Sequence, residues 1–172
     1  EKNPKPTASM VTNGYLLMFG PEHAEEQYKA LENHKACEAG TKNIKGSELS
    51  KFFPYINSEG IETATFTDNK SEGWIDPFMF HSALKSKATE LGAEFTKGEV
   101  KSLTEIKAKT IISAAGCWTK ELLEDIPVEP QKHTVFRVKC PKHIPEMPLT
   151  GDLTTGVYWR PEGKEYLAGS PK

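Results

Sequence analysis

Short apolar runs bounded by glycine and proline alternate with stretches whose apolar residues return every three or four positions, a pattern of strands interleaved with helices. Tyr15 to Phe19 is a continuous apolar run and predicts a buried strand. Gly20-Pro21 ends it and opens a polar helix, whose positive end suits Glu22, Glu25 and Glu26. Ala24, Tyr28 and Leu31 supply that helix's apolar stripe, Lys35 interrupts it, and Gly40 stops it. Ser47 to Phe53 reads as a brief helix halted by Pro54. Ile61 to Thr67 is rich enough in β-branched and aromatic residues for a strand, and a polar loop follows from Asp68 to Gly73.

Asp76 and Pro77 form a helix start: the carboxylate can cap, and proline's missing donor would be unsatisfied at the first helical position in any case. Phe80, Leu84, Ala88 and Leu91 recur at helical spacing until Gly92. Glu94 to Leu103 and Ala108 to Ala114 read as strands, the second so apolar that it is expected to be covered on both faces. After Gly116 a short helix is expected over Thr119 to Asp125. Phe136, Val138 and Cys140 alternate with Arg137 and Lys139 as a half-exposed strand, and Val157 to Arg160 and Glu165 to Ala168 form a hairpin across Pro161 to Lys164. The fold class expected is α/β in the mixed α+β sense.

Composition narrows the function. The hydrophobic share is 37%, the charged share 27% and the formal net charge -2, without the basic excess that nucleic-acid binding needs. The longest apolar runs fall far short of the roughly 20 residues that cross a bilayer, so no transmembrane segment is expected. Cys37, Cys117 and Cys140 are odd in number and widely spaced, which predicts three free thiols. Cys140 and His143 form a lone Cys-x-x-His, and His23, His34, His81 and His133 fall in no spacing that would complete a zinc site, so no metal site is expected.

Tyr158 and Arg160 lie two apart on the hairpin's first strand, so both face one way and Val157 and Trp159 face the other. A phenol and a guanidinium on one face suit a carboxylate ligand. Arg160 is one of two arginines beside twenty lysines, and guanidinium pairs bidentately with carboxylate as ammonium does not. An ordinary solvated arginine on an edge strand is the alternative.

The order of several motifs extends the picture over nearly the whole chain. Gly14-Tyr15-Leu16-Leu17, Phe53-Pro54-Tyr55-Ile56-Asn57, Gly73-Trp74-Ile75-Asp76-Pro77, Ala114-Ala115-Gly116-Cys117-Trp118, Pro127-Val128-Glu129-Pro130 and Tyr158-Trp159-Arg160 together resemble the D-amino-acid oxidase superfamily of FAD-dependent oxidoreductases, which includes sarcosine and dimethylglycine dehydrogenases. Within it the likeness is greatest to a mitochondrial FAD-dependent oxidoreductase domain subfamily linked to assembly of respiratory complex I. The resemblance implies the interior part of a glutathione-reductase-type FAD-binding fold, over 73–126, and a mixed-sheet substrate domain, over 14–72 and 127–172. It places the backbone of Val100 at the adenine. Ala115, Gly116, Cys117 and Trp118 lie beside FAD, where glycine lets the backbone approach closely and a following helix turns free amide donors toward an anion.

The same resemblance puts Lys132 and His133 on a strand over the flavin. Tyr158, Arg160 and His133 are then the candidate catalytic residues, His133 because imidazole changes charge near neutrality. The implied chemistry is oxidation of a small secondary amine or amino acid by hydride transfer to flavin, in mitochondria. The family's first strand and its Gly-x-Gly-x-x-Gly turn, which grips the pyrophosphate, are absent, so these residues alone are expected to bind FAD poorly. The alternative implied is a non-catalytic relative serving complex I assembly, with complex I proteins as partners.

Overall fold

The structure is a computed structural model that describes residues 8–67, 70 and 72–170, so part of the polar loop at 68–73 lies outside the described residues. It divides into two compact units, residues 1–84 with 133–172, and residues 85–132.

The first unit is built on a seven-stranded mixed sheet. Its strands are β2 (Tyr15–Phe19), β3 (Thr41–Lys45), β4 (Thr63–Thr67), β6 (Val135–Val138), β7 (Leu149–Asp152), β8 (Val157–Glu162) and β9 (Glu165–Gly169), in the order β3-β4-β2-β7-β8-β9-β6. Every neighbouring pair is antiparallel except β2 and β7, which run parallel with Tyr15 opposite Leu149. A separate two-stranded ribbon joins β1 (Met10–Val11) to β5 (Trp74–Ile75), with Val11 opposite Trp74. Only glycine can precede Trp74 there, because a Cβ on Gly73 would stand 1.8 Å from the Val11 carbonyl oxygen.

Alternation along the strands sorts the side chains onto two faces. One face carries Leu16, Met18, Ile44 and Ala64, which pack with Leu49 of helix α2 (Gly46–Phe52) and with Phe53 and Ile56 into the main core; Phe66 and Trp159 close its edge. Phe53 meets Phe66 edge to face at 5.1 Å between ring centroids, a favoured aromatic geometry. The opposite face carries Thr63, Thr65 and Thr67, all buried, beside Tyr15, Leu17 and Phe19. Helix α1 (Ala24–Ala36) covers that end: its Gln27 and Ala30 line a recess together with Phe19 and Leu153. The inward stripe of α1 is Ala24, Gln27 and Leu31, not Ala24, Tyr28 and Leu31. At about 100° per residue, positions 27 and 31 fall on one side of 24 and position 28 on the other, so Tyr28 stays exposed.

Helix α3 (Pro77–Glu90) starts as its residues dictate. The Asp76 carboxylate accepts a hydrogen bond from the Met79 amide at 2.7 Å, and the helix stops at Gly92, whose φ is +93°. Its apolar stripe is not buried in this chain, since Phe80, Leu84 and Leu91 are all exposed.

The second unit departs from the pattern. Residues 93–102 and 107–115 form no strand among the described residues, so neither Glu94 to Leu103 nor Ala108 to Ala114 is a ladder member. Ile112, expected to be covered on both faces, is 87% exposed. The physical reason is that a strand exists through its partner's hydrogen bonds, and no strand among the described residues pairs with either segment. A 3-10 turn at Gly116–Trp118 leads into helix α4 (Thr119–Leu122), shorter than the helix expected to Asp125. Its four residues are too few to aim a set of free amides at an anion, and the Trp118 amide is already donated to the Ala115 carbonyl at 3.2 Å.

Candidate functional site

On the sheet, Tyr158 and Arg160 share the face opposite the main core, as their spacing requires, while Trp159 turns into the core. Their surroundings differ. Tyr158 lies between Gly151 of β7 and Gly169 of β9, its two register partners. A Cβ on Gly169 would stand 2.5 Å from the Tyr158 hydroxyl oxygen and 2.7 Å from Cζ, so the phenol rests on the bare backbone of β9.

Arg160 reaches the other way. Its Nη1 donates to the Pro161 carbonyl at 3.1 Å and to a carboxylate oxygen of Glu162, the next residue on the same face of β8. The guanidinium carbon stands 5.2 Å from the centroid of the Trp74 ring, within cation–π range. The Arg160 side chain is only 18% exposed, against 43% for Glu162. These groups line a cavity of about 340 Å³ together with Val11, Met79 and Pro145. An aromatic wall, a fixed cation and a carboxylate on one concave surface can hold a small ligand bearing a carboxylate beside an apolar body.

His133 is exposed, two residues ahead of β6, and Lys132 is exposed beside it. Neither lines the cavity that holds Arg160 and Trp74. Trp74 and Glu162 are the two members of this cluster that sequence reasoning missed. A period-two reading of β8 places Glu162 beside Arg160, whereas nothing local links Trp74 to it.

The back of the sheet carries a second, more apolar cavity of about 380 Å³, walled by Tyr55, Trp159 and Tyr166. The Tyr166 hydroxyl accepts the Ile144 amide at 2.7 Å. Burial raises the Tyr55 phenol from 10.0 to about 12, with Tyr166 and Glu146 adding repulsion for the phenolate.

In the unit spanning 85–132, three of the five residues expected beside a cofactor come together. Val100, Ala115 and Trp118 line one cavity of about 460 Å³, with Glu99, Ser113 and Ile111. Cys117 lines an adjoining recess with Trp118 and Val128. Gly116 has φ of +59°, a left-handed conformation that glycine adopts without strain, and a Cβ built on it would meet nothing within 4 Å. The Ser113 hydroxyl oxygen is buried without a hydrogen-bond partner. A buried polar atom is normally paired, so an unpaired hydroxyl on a mostly apolar cavity wall is suited to a ligand atom. A ring system with ribose-like hydroxyls fits this wall, because Ile111 and Val100 supply apolar contact while Ser113 and Glu99 supply a hydroxyl and an acceptor.

Comparison with known proteins bears on the family and the fold. A family model described as FAD dependent oxidoreductase (DAO) matches residues 1–171. Among curated relatives, the Bos taurus FAD-dependent oxidoreductase domain-containing protein 1 is 26% identical over 88% of this chain and 41% of its own length. The Mus musculus mitochondrial dimethylglycine dehydrogenase is 28% identical over 73% of this chain and 17% of its own. Among solved structures, L-proline dehydrogenase from P. horikoshii superposes with a TM-score of 0.75 at 22% identity, over 94% of this chain and 49% of that one, and so shares the fold. The chain therefore spans less than half the length of the relatives it matches.

Proposed function

Since this chain belongs to the FAD dependent oxidoreductase family, whose cofactor is FAD, we propose that it forms the substrate-side portion of an enzyme that oxidises a small secondary amine or amino acid. The observation that carries this reading is Arg160, held with its charge pointed into a concave surface beside Trp74 rather than out into water. The names of two relatives fit the same chemistry, since dimethylglycine and L-proline each pair a carboxylate with a substituted nitrogen.

In this reading Arg160 fixes the substrate carboxylate and Trp74 bounds its apolar body. Tyr158 offers a phenol on the same sheet face. The substrate amine enters as the neutral base, because only the neutral amine releases its neighbouring hydride; His133, exposed ahead of β6 and outside this cavity, takes no part in that step. Bound FAD would supply the acceptor for the hydride, leaving an imine for water to hydrolyse. Val100 would border the cofactor's adenine, Ala115, Gly116, Cys117 and Trp118 would lie beside FAD, and the unpaired Ser113 hydroxyl would be available to it. No Gly-x-Gly-x-x-Gly occurs in the 172 residues, so the pyrophosphate grip does not come from this chain.

The test is turnover of N-methylglycine, L-proline and dimethylglycine by the full-length protein with an artificial electron acceptor. Arg160→Met should lower kcat/KM by on the order of a hundredfold, the scale of a lost charge-assisted pair. Turnover that survives the change removes the proposal.

A second reading, a scaffold that assists assembly of mitochondrial complex I, is favoured by one observation. Phe78 and Leu84 of the first unit, and separately Leu91 and Ile112 of the second, are large apolar side chains left in the open, and exposed apolar patches mark interaction sites. Native purification separates the two: flavin absorbance supports the enzyme, while a flavin-free protein that co-purifies with complex I subunits supports the scaffold. The mitochondrial location rests on the relatives in the same way and is tested by fractionating cells.

A further inference from the structure

Glu162 is the natural competitor for Arg160. It lies two residues along on the same face of β8, so it reaches the guanidinium without closing a loop, and its effective concentration there far exceeds that of a dissolved carboxylate. The pair is partly shielded from water, with the Arg160 side chain 18% exposed, so salt screens it weakly. Nη1 is spent twice, on Glu162 and on the Pro161 carbonyl. Trp74 fixes the guanidinium from a third side.

We propose that Glu162 is a specificity-determining gate: it occupies Arg160 in the free protein, and a ligand carboxylate binds only by displacing it. This rests on the reading of Arg160 as the carboxylate-binding residue. Displacement sets a threshold. A bare small carboxylate offers Arg160 nothing that Glu162 does not already supply, so it binds weakly. A carboxylate attached to an apolar body adds contact with Val11, Met79 and Pro145, which offsets the lost pair. The gate thereby selects amino acids with bulk near the nitrogen or side chain over the smallest acids. The opposite role, an anchor for the substrate ammonium, makes the reverse prediction for Glu162.

The experiment is calorimetric titration of the full-length protein with acetate, L-proline and acetamide, on the wild type, Glu162→Gln, Glu162→Asp and Arg160→Met. Glu162→Gln should bind acetate on the order of tenfold tighter than wild type, and narrow the preference for L-proline over acetate. Glu162→Asp, whose carboxylate falls short of Nη1, should move the same way by less and guards against a folding artefact in the first variant. Acetamide, which lacks the charge, should not respond. Unchanged or weaker acetate binding in Glu162→Gln overturns the gate, and weaker L-proline binding specifically identifies an ammonium anchor. If Arg160→Met loses acetate while Glu162→Gln matches wild type, only the gate falls. If Arg160→Met binds acetate as wild type does, the reading of Arg160 falls and takes the gate with it.

Discussion

The guanidinium carbon of Arg160 stands over the indole of Trp74, 5.2 Å from the ring centroid. The contact ties strand β8 to the β1–β5 ribbon and gives the cation a fixed direction. Trp74→Leu should remove a cation–π term of about 1 kcal/mol as well as some apolar area. A double-mutant cycle with Arg160→Met, read by urea denaturation, should show coupling of about 0.5–1 kcal/mol; strictly additive single losses would mean the two groups do not interact.

Gly169 leaves the space in which Tyr158 lies. Gly169→Ala puts a methyl 2.5 Å from the phenol oxygen, but the far end of a tyrosine can swing away. The cost should sit at the lower end of overpacking penalties, about 1 kcal/mol. It should vanish when Tyr158→Ala is present, which chemical denaturation of the two backgrounds checks.

The Ser113 hydroxyl is buried without a protein partner. Ser113→Ala should raise the free energy of unfolding in the absence of cofactor by about 1 kcal/mol, because it removes an unsatisfied group. It should also weaken FAD binding several-fold, measured by quenching of flavin fluorescence. A hydroxyl that serves only the fold would instead lower stability on removal and leave FAD binding unchanged.

Tyr55 carries a pH dependence whose sign is fixed by burial. Its phenol is raised to about 12 in the folded chain from 10.0, so the folded state holds the proton more tightly than the unfolded state. The stability linked to this group is present in full below pH 10 and is lost as pH rises from 10 through about 12. Denaturant midpoints measured up that range should fall less steeply for Tyr55→Phe than for wild type. Equal slopes would show that Tyr55 is not a source of the alkaline loss.

Asp76 accepts the Met79 amide at 2.7 Å at the start of α3. Asp76→Ala should lower stability by about 1 kcal/mol, seen as reduced helical ellipticity and an earlier urea midpoint, whereas Asp76→Ser should retain most of it.

Features set by neighbouring residues were legible in the sequence. The strand at Tyr15–Phe19 has the expected bounds, the Asp76-Pro77 start of α3 rests on a cap, and the β8–β9 hairpin is present, although its turn is only Gly163-Lys164 because Pro161 and Glu162 still pair as strand with Tyr166 and Glu165. Elements set by distant partners were not. β3, Thr-Lys-Asn-Ile-Lys, carries one buried apolar residue, and β7, Leu-Thr-Gly-Asp, shows no alternation; each is a strand because β4 or β2 offers it a ladder. The converse error has the same cause, since Ala108 to Ala114 is apolar enough for a strand but has no partner among the described residues. At the site, the common face of Tyr158 and Arg160 followed from period two, and Glu162 lay within the same rule. Trp74 did not, because its approach to Arg160 depends on the ribbon with β1.

The single parallel junction between β2 and β7 divides the sheet into a half from 15–67 and a half from 135–169. Across it the Asn13 amide nitrogen donates to the carbonyls of Pro145 and Met147, the latter 134 positions away in sequence. Such remote pairing is slow to form, so the amino-terminal three strands can zip up on the ribosome while their β2 edge waits, bare, for a mate not yet synthesised. That interval is when the nascent chain is most exposed to swapping its edge with another copy, and a chaperone would find its client there.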